Sequence, residues 1–190
     1  MGAWGELGAL DQAKVRQIFE RLWQGEMESC RKKSNEFVAG DISVRVRINH
    51  AGGVKWAFFT SSTLGDRNVE KCILDALKSA TWPIPVGGDD GIAEQELPFA
   101  DLADRPALPW AAENVSATLS SAAAKFGACK ARGRFTATVI VRTDGTVLSA
   151  GAYGPDENAE DAVDCISRTL QTLRFPKPGS WTAKASFPIP

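Results

Sequence analysis

Four cysteines, Cys30, Cys72, Cys129 and Cys165, are the residues of this 190-residue chain best suited to covalent chemistry. No two of them stand in the C-x-x-C spacing of a redox-active pair or a zinc half-site, which argues against both roles. The single histidine, His50, lies beside Ala51-Gly52-Gly53. Any histidine-based triad or pH switch has to use it, and in a Gly-rich turn it reads as an exposed loop residue. G-x-S-x-G, P-loop and H-E-x-x-H patterns are all missing. The acidic run Asp156, Glu157, Glu160, Asp161 and Asp164 has the composition of a cation site. It also opens a predicted helix, where carboxylates complement the helix dipole, so a solvated face is expected. Asp89-Asp90 lacks the spacing of a calcium loop and reads as a turn. Asn114-Val115-Ser116 matches a glycosylation sequon but falls inside a predicted helix, where a chance match is expected. No catalytic residue, metal or cofactor is therefore expected. An enzyme reading requires a deep polar pocket between the two halves of the chain, holding a carboxylate with a strongly perturbed pKa.

The cysteines gain meaning from their spacing. Cys72 and Cys165 are separated by 93 residues, and the same offset carries Gly52 onto Gly145, Ile73 onto Ile166, Leu77 onto Leu170, Trp82-Pro83 onto Phe175-Pro176 and Pro85 onto Pro178. The offset is 99 for Cys30 and Cys129, and 90 for Pro98 and Pro188. A cysteine, core positions and prolines recurring together predict two tandem units, residues 1–100 and 101–190. The short, Pro-containing segment Ala100 to Pro109 joins them, so packed or semi-rigidly linked units are expected.

Each unit must place its cysteines on helices. Asp11 can cap a helix running to about Met27 with Val15, Phe19, Leu22 and Trp23 at helical spacing, and Val115, Leu119, Ala122 and Phe126 form the counterpart. Cys30 and Cys129 extend those stripes. A period-2 strand comes next, with Ile42, Val44, Val46 and Ile48 on one face and Ser43, Arg45 and Arg47 on the other; Phe135, Ala137, Val139 and Val141 repeat it. Gly52-Gly53 and Asp144-Gly145 suit tight hairpins to second strands, Val54 to Thr60 and Val147 to Tyr153. Second helices begin near Asp66 and Asp156. Their stripes are Val69, Cys72, Ile73, Ala76, Leu77, Ala80 and Ala162, Cys165, Ile166, Thr169, Leu170, Leu173. Trp82-Pro83 and Phe175-Pro176 end them, and last strands cover Ile92 to Phe99 and Thr182 to Ile189. The predicted fold class is α+β: two tandem units, each a three-stranded, mainly antiparallel sheet with both helices on one face.

Four cysteines allow three pairings. The repeat favours Cys30 with Cys72 and Cys129 with Cys165, each unit closing its own bond between its two helices. Buried free thiols packing as small hydrophobes are the alternative. Disulfides imply an oxidising compartment, and free thiols suit the cytoplasm. The composition, 44% hydrophobic and 24% charged with net charge −1, argues against nucleic acid and anionic membrane surfaces as main partners. No stretch approaches the roughly 20 apolar residues that span a bilayer, so the chain is not expected to cross a membrane. MGAWGELGAL has neither the basic nor the apolar region of a secretory signal. The chain is then either cytosolic, or Met1 begins a fragment of an exported protein. Of the six tryptophans, Trp23 and Trp82 occupy core-like positions, while Trp4, Trp56, Trp110 and Trp181 are open to a ligand-platform role.

One family joins these features. Cys30, the hairpin, Val69, Glu70, Cys72, Ile73, Leu77, Trp82, Pro83 and Pro85 resemble the C-terminal domain of the myxobacterial gliding-motility-associated AgmX/PglI proteins, a relative of the TonB C-terminal domain. Cys129, Val163, Asp164, Cys165, Ile166, Leu170, Phe175, Pro176 and Pro178 carry the resemblance in the second unit. It implies a non-enzymatic, envelope or periplasmic module that binds a protein or peptide by adding a strand to a sheet edge. A cytosolic adaptor or inhibitor with reduced cysteines is the alternative.

Overall fold

The computed structural model describes residues 7–189; Trp4 and most of the N-terminal decapeptide lie outside them. Helix α1 (Gln12–Leu22) starts at Asp11, whose carboxylate accepts the Ala13 and Lys14 N–H groups. Two donors that no helical carbonyl can reach are thereby satisfied. Val15, Phe19 and Leu22 face the core. The helix does not run on regularly to Met27. Trp23–Met27 forms a π-helical turn, and α2 (Glu28–Arg31) continues from it. The wider turn re-aims the last helical turn, so Met27, Cys30 and Arg31 are all buried. Strands β1 (Gly40–Asn49) and β2 (Val54–Ser62) form the first hairpin, followed by α3 (Arg67–Ser79), capped by Asp66, and β3 (Asp90–Phe99). Strand β1 is central in the order β2-β1-β3, antiparallel to both neighbours. Its inward residues Ile42, Val44, Val46 and Ile48 pack under α1 and α3.

The second half opens with β4 (Leu108–Pro109). It continues through α4 (Glu113–Ser121), α5 (Ala123–Gly127), β5 (Thr136–Val141) and β6 (Val147–Tyr153). A 3-10 turn, Glu157–Ala159, then leads into α6 (Glu160–Gln171) and β7 (Ala183–Pro188). The leading helix is broken at Ala122, unlike the continuous stripe expected. The sheet order is β4-β7-β5-β6, with β4 parallel to β7. This corrects the expectation of three strands. The connecting segment doubles back and pairs, Leu108 N–H to Thr182 O at 2.9 Å and Trp110 N–H to Lys184 O at 2.8 Å. Pro109 falls between these donors, on the outer side of the strand where no partner N–H is needed.

The recurring Gly and Trp/Phe-Pro signals form one lock in each half. Trp82 N–H donates to Gly52 O at 3.0 Å, and Phe175 N–H to Gly145 O at 2.9 Å. Each glycine has positive φ, +80° and +87°, and its Cα faces the carbonyl of that same aromatic residue. A methyl group at Gly145 meets both an unfavourable φ and the Phe175 carbonyl. Gly145→Ala is expected to cost about 2–3 kcal/mol. Gly87→Ala, at φ +82° in open space, carries only the backbone penalty, about 1 kcal/mol. Urea titration of both variants checks this; equal losses would contradict the lock.

The halves pack face on edge. Both faces of β5 are buried. Val139 and Val141 point to the second core, while Ile140 belongs to the first. Gly65, at φ +75°, lies against Thr138 and Ile140. Asn35 Nδ2 donates to Ser149 Oγ at 2.9 Å, and Phe37 meets Trp181 edge-on at 6.1 Å.

Candidate functional site

The structure brings the four cysteines together in two pairs at disulfide distance. Cys30 of α2 meets Cys72 of α3 with Cα atoms 5.7 Å apart, and Cys129, just past α5, meets Cys165 of α6 at 5.5 Å. Both separations fall in the range a disulfide requires. Each pair joins the two helical segments that cover one sheet.

The acidic run is exposed at Asp156, Glu157, Glu160 and Asp161, as a solvated face requires, and only Asp164 is half-buried. Asp156 accepts the Asn158 N–H and caps the 3-10 turn. Asp164 pairs with Arg67 at 2.7 Å and Lys71 at 2.8 Å, and Glu160 reaches Lys78 at 3.4 Å and Arg67 at 3.8 Å. The α6 carboxylates thus meet a basic face of α3 across the junction. The charges of Arg67 and Lys71 hold the Asp164 carboxyl below its ordinary range against the opposing effect of burial. Asp90 is no mere turn residue. It begins β3, is buried, and binds Arg47 at 2.7 Å and Lys55 at 2.8 Å, which lowers its pKa. His50 is exposed in the hairpin turn.

Glu70 occupies the junction itself. Burial of its carboxyl pushes the pKa up to about 7, although the Ser62 hydroxyl, the Arg67 charge and the Ala152 N–H all favour the ionised form. Ser62 Oγ donates to it at 2.7 Å and Ala152 N–H at 3.3 Å. Gly151 leaves the space it fills. A perturbed carboxylate does sit between the halves, but Glu70 lines none of five prominent surface clefts among the described residues. Its oxygens face the edge of β6 at Gly151 and Ala152. In the sequence Glu70 stands out only as one member of the family-like motif. Its spacing with Leu74 and Leu77 on the buried face of α3 was the available signal.

The sheet edges differ in what covers them. The outer edge of β7 carries β4. The edge of β6 has its Ala152 N–H taken by Glu70 and lies beside β2, sharing a narrow cleft with Ala57 and Phe59. The edge of β3 receives one main-chain bond among the described residues, from Gly8 N–H to Asp90 O at 2.7 Å, and one side-chain bond, from Gln95 Nε2 to Glu96 O at 3.1 Å. The main-chain bond fixes the parity of the strand: Asp90, Ile92, Glu94, Glu96 and Pro98 direct their main-chain groups outward, and the intervening residues bond β1. Pro98, which has no N–H, falls on the outward set, as an edge proline must. Residues 92–98 therefore offer a strand edge to which no strand is added among the described residues.

Comparisons of the chain with protein-family models, curated proteins and solved structures return no match.

Among the described residues no group of three or more His, Cys, Asp and Glu side chains is placed to hold a metal ion, and no helix is long and apolar enough to cross a membrane. The geometry offers main-chain pairing at β3, and, on the face of the same sheet, a half-buried aromatic pair, Trp56 and Phe58.

Proposed function

We propose that this chain is a non-enzymatic protein-binding module of the bacterial cell envelope, a duplicated relative of the AgmX/PglI and TonB C-terminal domains. On this reading it recognises an extended peptide of its partner through the β3 edge. The observation that carries the reading is the contrast between edges: residues 92–98 carry no added strand among the described residues, while β7 already accepts one from the connecting segment. The chain thus performs, within itself, the pairing that a partner would perform on β3. Main-chain hydrogen bonds supply affinity in this mode, and alternate side chains supply specificity. The matching strand orders, β2-β1-β3 and β6-β5-β7, support the duplication. The two cysteine pairs support an oxidising, periplasmic setting.

Peptides selected on the immobilised protein from a displayed heptapeptide library test the mode. Resynthesis of a selected peptide with N-methyl groups on alternate residues removes donors in one phase of the strand. Titration calorimetry is expected to show one phase weakening binding by at least about tenfold and the other leaving it within about threefold, since each lost hydrogen bond is worth roughly 1 kcal/mol. Equal effects of both phases would exclude strand addition.

A further inference from the structure

The outer face of the first sheet holds a groove that main-chain pairing does not use. Its side chains stand in two rows across the strands, Trp56, Arg47 and Ile92 in one and Phe58, Arg45 and Glu94 in the other. The Trp56 and Phe58 rings lie 5.5 Å apart at 54°. Pro155, Asp156 and Glu157 of the second half form the opposite wall and Leu7 borders the groove, enclosing a cavity of about 560 Å³. The corresponding face of the second sheet, with Thr138, Ile140 and Ser149, is covered by the first half. Here nothing in the chain covers the aromatic floor among the described residues.

Charge decides what fits. Arg47 is committed to Asp90, and Arg45 to Glu94. Lys55 shares Asp90 with Arg47, so the floor keeps one positive charge in excess, which the two carboxylates of the opposite wall outnumber. On the opposite wall Asp156 accepts only a backbone N–H. Neither Asp156 nor Glu157 has a cationic partner among the described residues. Two residues with carboxylates that lack a cationic partner among the described residues thus line one groove with two aromatic rings and Ile92. That is the chemistry of a cation on an apolar stem.

We infer that this groove binds a lysine or arginine side chain of a protein partner, its stem on Trp56, Phe58 and Ile92 and its charge between the ring faces and the Asp156 and Glu157 carboxylates. The site uses side chains of the sheet face, so it stands separately from edge pairing. Ile92 and Glu94 adjoin both, and a single partner segment can engage the two together.

The probe is the peptide acetyl-Gly-Leu-Lys-Leu-Gly-amide, titrated into the isotopically labelled protein and followed by NMR. Saturable shifts are expected at the Trp56 indole and at the Glu157 amide. Norleucine or glutamate in place of lysine is expected to weaken binding about tenfold or more. Trp56→Ala and Glu157→Lys each do the same; both residues lie outside the cores, and Glu157→Lys guards against a folding defect in the first variant. Raising salt from about 0.05 to 0.5 M weakens binding several-fold. Full N-methylation of the peptide leaves it within about threefold, which separates this site from the β3 edge. Equal affinity for the lysine and glutamate peptides, shifts confined to residues 92–98, or loss of binding on N-methylation would each overturn the inference.

Discussion

Replacing Cys30 and Cys72 together by alanine is expected to lower the unfolding free energy by about 4 kcal/mol, and replacing Cys129 and Cys165 by a similar amount. The bonds close loops of 42 and 36 residues, so loop-closure entropy sets nearly the same value for both. An effect of this size is a large share of the total stability of a small domain, roughly 5–15 kcal/mol. The architecture explains the dependence. Helix α2 is a single turn after a π-helical distortion, and α5 is a five-residue segment behind a broken helix. Short helical segments are marginal by themselves, and each is tied by its bond to a long helix, α3 or α6. Urea unfolding with and without reductant checks the claim. The reduced protein should match the variant lacking all four cysteines, and insensitivity to reductant would contradict it. Cys30 and Cys129 are buried while Cys72 and Cys165 are only partly so, so slow reduction without prior opening is expected as well.

Glu70 gives the second large effect. Its carboxyl titrates near 7 in the folded chain, against an ordinary value of 4.5. A carboxyl whose folded pKa is raised contributes most below its unfolded pKa, where both states are protonated, and loses that contribution as the pH rises through the folded value. Between about pH 4.5 and 7 the wild type therefore loses roughly 3 kcal/mol from this group, and above that window the loss is constant. Glu70→Gln keeps a neutral hydrogen-bonding group between Ser62 and Ala152 and removes the titration. The variant should match the wild type near pH 4.5 and exceed its stability by roughly 3 kcal/mol near pH 8. Chemical denaturation across this range reads the difference. Parallel curves, or a variant less stable at pH 8, would mean that the anchoring of β6 by an ionised carboxylate outweighs the cost of its burial.

The order of elements was legible because it rests on local signals. The alternation of Ile42, Val44, Val46 and Ile48, the caps at Asp11 and Asp66, and the prolines at 83 and 176 act within a few residues. The repeat favoured the cysteine pairs that the structure brings to disulfide distance, with free thiols as the alternative. The features hidden from the sequence depend on packing between the halves. Ile140 and Thr138 point away from their own core, and their burial is decided by Gly65 and its neighbours across the junction. Glu160 and Asp164 look like first-turn carboxylates until α3 brings Arg67, Lys71 and Lys78 against them. Strand β4 is two residues long, too short for any periodicity, and exists because β7 offers an edge. The open β3 edge was unreadable for the same reason, since openness is a property of what the rest of the chain leaves uncovered.

Amide hydrogen exchange along β3 tests the binding edge most directly. In the free protein the Ile92, Glu94 and Glu96 amides should exchange quickly, while Ala93, Gln95 and Leu97, bonded to β1, are protected. Adding a library-selected peptide should slow the first set by at least about tenfold and leave the second unchanged. Protection that appears elsewhere on peptide binding, with the Ile92, Glu94 and Glu96 amides still exchanging freely, would contradict strand addition at β3.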